Sequence, residues 1–230
     1  MNPTEIQKHL NQFDHDVITE KLAPFITDNR KARIESVITY RLDSISLAIE
    51  SPSDLNNALA AIRTCEALGI STIHIISAER DASFIHGVTM GAFYWVTILF
   101  YKTLNEFLTQ IKCENKLLAG AIINAESNLS DIPIQQPLCL LMGNEQRGLS
   151  IEAKSACDFL FSIPMCGMTE SFNLSVAAAI SLFDLSQRKR VALKNKTDLT
   201  NNSIKTMRAQ FYLQSVSPRL IKNLLKSNTN

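Results

Sequence analysis

Short apolar runs recur along this chain, each bounded by polar residues, and between them apolar positions fall at helical spacing. Ile45-Ser-Leu-Ala-Ile49 alternates and is rich in strand formers, which predicts a first strand. Ser71–Ile76, Val96–Phe100, Leu117–Ile123, Pro137–Met142 and Phe159–Ile163 repeat that signature. Helices are expected over Asn57–Leu68, ended by Gly69, and over Leu104–Cys113, Ile151–Ala156 and Ala177–Arg190. Glu50–Leu55 reads as a turn, Gly87–Trp95 as a connecting helix or loop, and Asn124–Gln136 as a polar loop. Strands alternating with helices predict an α/β fold, a parallel sheet with helices on both faces.

The two ends carry a different pattern. Residues 4–27 look helical, with Leu10, Phe13, Val17 and Leu22 as candidate buried positions. A second helix is expected over Asp28–Tyr40, with Arg30, Arg33 and Arg41 on a basic side and Ile34, Val37 and Ile38 opposite. After a polar linker over Asn195–Ser203, Ile204–Lys226 reads as a basic amphipathic helix or helix pair. The division is therefore a helical arm over 1–43, an α/β domain over 44–190 and a basic helical tail over 191–230. The net charge of +1 says nothing of a partner, but its distribution does. Ten Lys and Arg against a single acidic residue, Asp198, lie beyond position 187, which suits a polyanion such as RNA. The competing reading is a solvated tail with incidental charge.

Cys65, Cys113, Cys139, Cys157 and Cys166 show no zinc-ligand spacing, so no metal is expected and the thiols read as reduced core residues of a cytoplasmic protein. No signal peptide is expected, and no apolar run is long enough for a membrane. No two of the seven glycines form G-x-G, and G-K-S/T, G-x-S-x-G and H-E-x-x-H are all missing. These absences argue against a dinucleotide fold, a P-loop, a serine hydrolase and a zinc protease. His74, inside an apolar strand, reads as a core histidine.

Three polar segments remain, each beside an apolar strand: Asn57…Arg63, Gly143-Asn-Glu145-x-x-Gly148, and Ile163-Pro-Met-Cys-Gly167…Ser171-Phe-Asn173. Arg63 lies among apolar helix neighbours, where a charge needs an anionic partner, and Glu145 is the expected one. In the third segment a strand ends, Pro164 and Gly167 force a loop, and a helix follows with Ser171 or Asn173 at its first turn. Free amides at such a turn are a natural ligand site.

Taken in order and spacing, these segments resemble the motifs of the SpoU/TrmH class of SPOUT RNA 2′-O-methyltransferases. The resemblance spans about residues 24–190 and is nearest the branch acting on the 2′-hydroxyl of guanosine 18 in the tRNA D-loop. It implies a deep trefoil knot in the C-terminal half of the sheet, S-adenosyl-L-methionine as cofactor, tRNA as substrate, and a homodimer that completes the site. It also implies that Gly143, Ile163 and Phe172 line the cofactor pocket with Gly120, and that Arg30, Arg33 and Arg41 belong to a tRNA-binding arm. Arg63 would stand nearest the reacting hydroxyl, as base or as electrostatic clamp. Asn57 would orient Arg63 or the ribose phosphate, Glu145 would fix the guanidinium, and Ser171 and Asn173 would position substrate and shape the cofactor loop. The sequence departs from the family at Asn56, Leu59, Tyr94, Leu99, Phe100 and Phe172. An rRNA 2′-O-methyltransferase and an inactive RNA-binding relative are the alternatives.

Overall fold

The computed structural model describes residues 3–78 and 91–225, and the chain divides into two compact units. The larger, Leu42–Asp198, is the α/β domain. Its strands are β1 (Leu42–Glu50), β2 (Ile70–Ile76), β3 (Thr97–Tyr101), β4 (Leu117–Ala121), β5 (Ser127–Asn128), β6 (Leu138–Met142) and β7 (Phe159–Ser162). They form one sheet in the order β3-β2-β1-β6-β4-β7-β5, with every neighbouring pair parallel. β5 lies inside the expected polar loop. Ser127 and Asn128 carry no strand signature of their own; they pair with Phe161 and Ser162 because Leu129 and Ile132, just beyond, bury themselves in the core.

The sheet is covered on both faces. The N-terminal unit described below contains three helices, so those of this domain are numbered from α4 in chain order: α4 (Leu55–Leu68), α5 (Leu104–Cys113), α6 (Ile151–Ala156) and α7 (Leu174–Leu193). On one face Ala58, Ala61, Ile62 and Cys65 of α4 pack with Ala178, Leu182 and Leu185 of α7 over Leu47, Ile49 and Leu140. On the other, Phe107 and Ile111 of α5 and Ala153 of α6 pack over Ala48, Cys139 and Leu141. β1 reads apolar on both sides for this reason. α4 ends where Gly69 adopts φ +80°, a left-handed turn that glycine takes without strain. His74 is fully buried, its Nδ1 3.0 Å from the Tyr101 hydroxyl and its ring edge-on to Phe107.

α7 extends beyond the expected Ala177–Arg190 at both ends, and three consecutive cations on it find partners inside the domain. Arg188 donates to the carbonyls of Ile132 and Leu129 at 2.8 and 2.9 Å, Lys189 to Ile134 at 2.7 Å, and Arg190 to Leu68 at 2.8 Å. These residues opened the basic tail in the sequence, yet they hold the β5–β6 loop and the end of α4 rather than facing solvent as a charged strip. Asp198 accepts from the amides of Asp43 and Ser44 and so fastens the end of this unit to the start of β1.

The second unit joins both ends of the chain, residues 1–41 and 199–230. It contains α1 (Pro3–Gln12), α2 (His15–Leu22), α3 (Asp28–Ile38), α8 (Asn201–Ser215) and α9 (Pro218–Leu224). The expected helix over 4–27 is broken, because Asp14 caps α2 through bonds from the amides of Asp16 and Val17. The restart rotates the phase: Ile18 is buried and Val17, expected inside, is exposed. Pro218 starts a new helix and resolves the C-terminal segment as a pair. Arg30 and Arg33 are exposed. Arg41, expected beside them, is fully buried with its guanidinium 5.7 Å from the Phe211 ring centre. Its aromatic packing removes it from the surface a polyanion would touch.

Candidate active site

β1 ends at Glu50, and the chain turns sharply through Ser51 at φ +48° before α4 begins. β6 ends at Met142, its immediate neighbour in the sheet, and the segment after it folds back on itself. Asn144 and Gly148 exchange backbone hydrogen bonds at 3.0 and 2.8 Å. Gly148 has φ +66°, and a Cβ on Gly143 would stand 2.2 Å from the backbone of Gly148, so the closed loop excludes any other residue there. Asn144 ties the two turns together by donating to the carbonyl of Ser51 at 2.7 Å. Glu50 does the same from the other side, accepting from the amide and hydroxyl of Ser150 at 2.9 and 2.6 Å.

This clasp brings Glu145 to the N-terminus of α4. Its Oε2 accepts from the amide and hydroxyl of Ser53 at 2.9 and 2.5 Å. Its Oε1 accepts from Asn57 Nδ2 at 3.0 Å and from the Asp54 amide at 3.4 Å. Asn57 Oδ1 in turn accepts from Asn173 Nδ2 at 2.8 Å, and Asn173 Oδ1 caps α7 by accepting from Ser175 N at 2.9 Å. Chemistry fixes both amide orientations: a carboxylate only accepts, so Asn57 must present its nitrogen to Glu145 and its oxygen to Asn173. Burial alone would raise the Glu145 carboxyl, but the bonds from Ser53 and Asn57 outweigh it and hold it at about 2.

Asn57, Glu145 and Asn173 thus meet, each from a different motif. Arg63 does not join them. It lies on the solvent side of α4 and is exposed, and it makes no ion pair with Glu145. The expected pair fails for two reasons. Glu145 already accepts four donors, and the guanidinium, six residues along the helix, projects into water, where it needs no partner. Ser171 is exposed in the loop, and Asn173 rather than Ser171 caps the helix.

The loops after β4, β6 and β7 lie side by side, because these strands are adjacent in the sheet. Ligands of parallel sheets bind outside such carboxyl ends. Ile123, Met168 and Phe172 expose apolar surface on these loops, and Ile163 is half-buried below them. A Cβ on Gly120 would meet Cys157 Sγ at 2.7 Å and Leu149 at 2.9 Å, so its lack of a side chain serves packing inside the domain. The Cys157 thiol is pushed up to about 12, first by burial, and is inert. Among the described residues no cluster of His, Cys, Asp and Glu is placed to hold a metal ion, and no helix is long and apolar enough to cross a membrane.

Ser53, Glu50 and Ser150 escaped the sequence reading, and Asn144 lies in the second polar segment with no role assigned to it there. The one signal for Ser53 was a Ser- and Asp-containing turn directly after a strand, which marks many turns that hold nothing.

A parallel sheet with three polar turns converging at its strand ends defines a ligand-binding α/β protein, and comparison with known proteins gives the class. The chain belongs to the SpoU rRNA Methylase family, which it matches over residues 44–183. It is 34% identical over 220 residues to the tRNA (guanosine(18)-2′-O)-methyltransferase of Borreliella burgdorferi, covering 93% of this chain and 100% of that protein. The enzyme of that name from Thermus thermophilus is 30% identical over 166 residues, covering 72% of this chain and 85% of the other. Among solved structures, the A. aeolicus TrmH/SpoU tRNA modifying enzyme superposes with a TM-score of 0.72 at 27% identity, covering 83% and 98% of the two chains. An AdoMet-bound rRNA methyltransferase from Sinorhizobium meliloti superposes with a TM-score of 0.58 at 26% identity, covering 63% and 56%.

Proposed function

We propose that the protein transfers a methyl group from S-adenosyl-L-methionine to a ribose 2′-hydroxyl of tRNA, at guanosine 18. The observation that carries this reading is the carboxamide of Asn57, which joins Glu145 and Asn173 and so assembles three separate motifs into one site. The relative with that named activity from Borreliella burgdorferi matches 93% of this chain.

The cofactor supplies an electrophilic methyl on a sulfonium, so the protein needs to align the acceptor and accommodate the departing proton rather than activate the donor. Gly143, Ile163 and Phe172, with Gly120 beneath, are the residues we assign to its cleft. The exposed apolar side chains there suit an adenine ring, and the closed backbone of the Gly143–Gly148 turn offers peptide groups. Arg63 presents a free guanidinium on the α4 surface, available to a phosphate or to developing alkoxide charge. A guanidinium hardly ever deprotonates, so clamping is its easier role. Ser171 stands exposed beside Asn173 to contact the substrate. Arg30 and Arg33 offer phosphate contacts on the terminal unit.

A homodimer and a knotted C-terminal half belong to the same reading. An open groove of about 880 Å³ runs between α4 and α7, lined by Leu68, Ile163, Ile180 and Phe183. Phe183 is 57% exposed there, and Val176 and Ile180 flank it along the helix. A second copy would cover this apolar face, and Ile163 makes the face continuous with the cofactor loop. A protein acting on tRNA in this way works in the cytoplasm.

The test is methyl transfer to total RNA from cells lacking Gm18, followed by mapping of 2′-O-methyl positions. Methylation at guanosine 18 is expected. Methylation confined to rRNA would favour the rRNA alternative, and no transfer with retained RNA binding would favour an inactive relative.

A further inference from the structure

Glu145 is often the kind of residue assigned to proton transfer, but here all its acceptor sites are engaged. Two oxygens receive four donors: the Ser53 amide, the Ser53 hydroxyl, the Asp54 amide and the Asn57 carboxamide. A carboxylate so surrounded stays ionised and has no lone pair directed at a substrate. Its remaining effect is to hold what donates to it. Of those donors, the two amides belong to the turn itself, whereas Asn57 is the link to Asn173 and α7. The Ser53 hydroxyl makes the shortest bond to the carboxylate, on the oxygen opposite the one that Asn57 uses. Together with the Ser53 amide on the same oxygen, it fixes the rotation of the carboxylate and, with it, the direction in which Asn57 is held.

We infer that Ser53 is a positioning residue for methyl transfer, acting through Glu145 to lock the carboxamide of Asn57 between that carboxylate and the N-terminus of α7. The inference rests on the reading of Asn57 and Glu145 as site residues. Ser53 itself is exposed on a turn. Removing its hydroxyl leaves Oε2 held by the Ser53 amide alone and Oε1 by the Asp54 amide and Asn57, so the carboxylate remains bound but is held less tightly on the Oε2 side. The Asn57 carboxamide then loosens against its partner, while the Gly143–Gly148 turn, closed by the backbone bonds between Asn144 and Gly148, keeps its shape.

The experiment uses the full-length protein with ¹⁵N labelling and compares wild type, Ser53→Ala and Ser53→Thr. The side-chain amide of Asn57 is assigned from its disappearance in Asn57→Ala. In Ser53→Ala that signal should shift and exchange with solvent on the order of tenfold faster, as for loss of a charge-assisted hydrogen bond. On tRNA, kcat should fall on the order of tenfold with KM for both substrates within about twofold, since the lost hydrogen bond orients the site rather than touching either substrate. Ser53→Thr, which keeps the hydroxyl, should restore both. An unchanged Asn57 signal in Ser53→Ala overturns the inference, and so does equal impairment in the alanine and threonine variants. The amide measurement needs no RNA: a wild-type protein inactive on tRNA would sink the substrate assignment, and the Asn57 signal would still decide the role of Ser53.

Discussion

Arg208 closes a two-pronged ion pair on Glu35, Nε to Oε1 at 2.6 Å and Nη2 to Oε2 at 2.7 Å. It joins helices 173 residues apart in the chain and makes the N- and C-terminal extensions a single unit. A truncation at either end would therefore expose the apolar faces of the other, including Phe211 and Leu213 on α8. Contacts to RNA from this unit have to be tested by charge removal and not by deletion.

The substitution Arg30→Ala with Arg33→Ala removes two exposed cations from α3, together with the Arg30 Nε bond to the Ser215 hydroxyl at 3.4 Å. Affinity for tRNA should fall, and the slope of log K against log salt should flatten by about two, as for two lost phosphate contacts. Filter binding over a salt series checks this. A double variant with the wild-type slope would place the RNA elsewhere.

Arg63→Ala should reduce turnover on the order of a hundredfold, the usual cost of losing an electrostatic partner of the transition state. S-adenosylmethionine affinity by calorimetry should stay within about twofold, because the residues assigned to the cofactor cleft lie on the loops after β4, β6 and β7 and not on α4. Arg63→Lys keeps the charge and loses the fork, so activity should remain low. Since the guanidinium is exposed and unpaired with Glu145, neither change should lower the melting temperature appreciably.

The outcome at Arg63 shows what the sequence could and could not reveal. Strand and helix order were legible because alternation and helical spacing report which face is buried, and those faces pack as expected on both sides of the sheet. α5 and α6 coincide with their apolar runs residue for residue. Arg63 looked buried because Ala60, Ala61 and Ile62 precede it, yet a helix that is apolar over one stretch still has an outer face. Linear neighbours do not report that face; the i+3 and i+4 positions do. The same limit hid β5, whose pairing is imposed by distant residues, and misassigned Arg41, whose environment is an aromatic ring from α8. The inward turn of Arg188, Lys189 and Arg190 was invisible for a related reason. A cation run looks the same whether solvent or backbone carbonyls satisfy it.

Phe183→Glu places a charge in the middle of the α4–α7 groove. Sedimentation velocity should show a dimer for the wild type and a monomer for the variant. Fold should be retained, because Phe183 already faces solvent in the single chain. A wild-type monomer at micromolar concentration would remove the second copy from this surface.

His74 gives a pH dependence whose sign is fixed. Burial is the chief cause that lowers its pKa to about 4 from an ordinary 6.5. Between those values the unfolded chain binds a proton that the native state refuses, so stability falls as pH drops from about 6.5 to about 4 and levels below. The full loss is on the order of 3 kcal/mol for a shift of this size. Urea unfolding from pH 7 to 4 should show the decline, and His74→Gln, which cannot titrate, should flatten it. A wild-type midpoint that does not move in this window would mean the ring is protonated in the core.

Asn57 has a further property that follows from its place between Glu145 and Asn173. Its side chain is an amide, and hydrolysis of that single bond turns it into aspartate without altering its shape. The nitrogen now 3.0 Å from Glu145 would become an oxygen, setting two carboxylates face to face at a distance where both cannot stay ionised. Asn57→Asp should accordingly be more damaging than Asn57→Ala, which merely leaves a gap, and its residual activity should rise as the pH is lowered. Slow chemical ageing at this one position would silence the protein while its mass changed by about one dalton and its fold, measured by any spectroscopic probe of helix and strand, stayed the same.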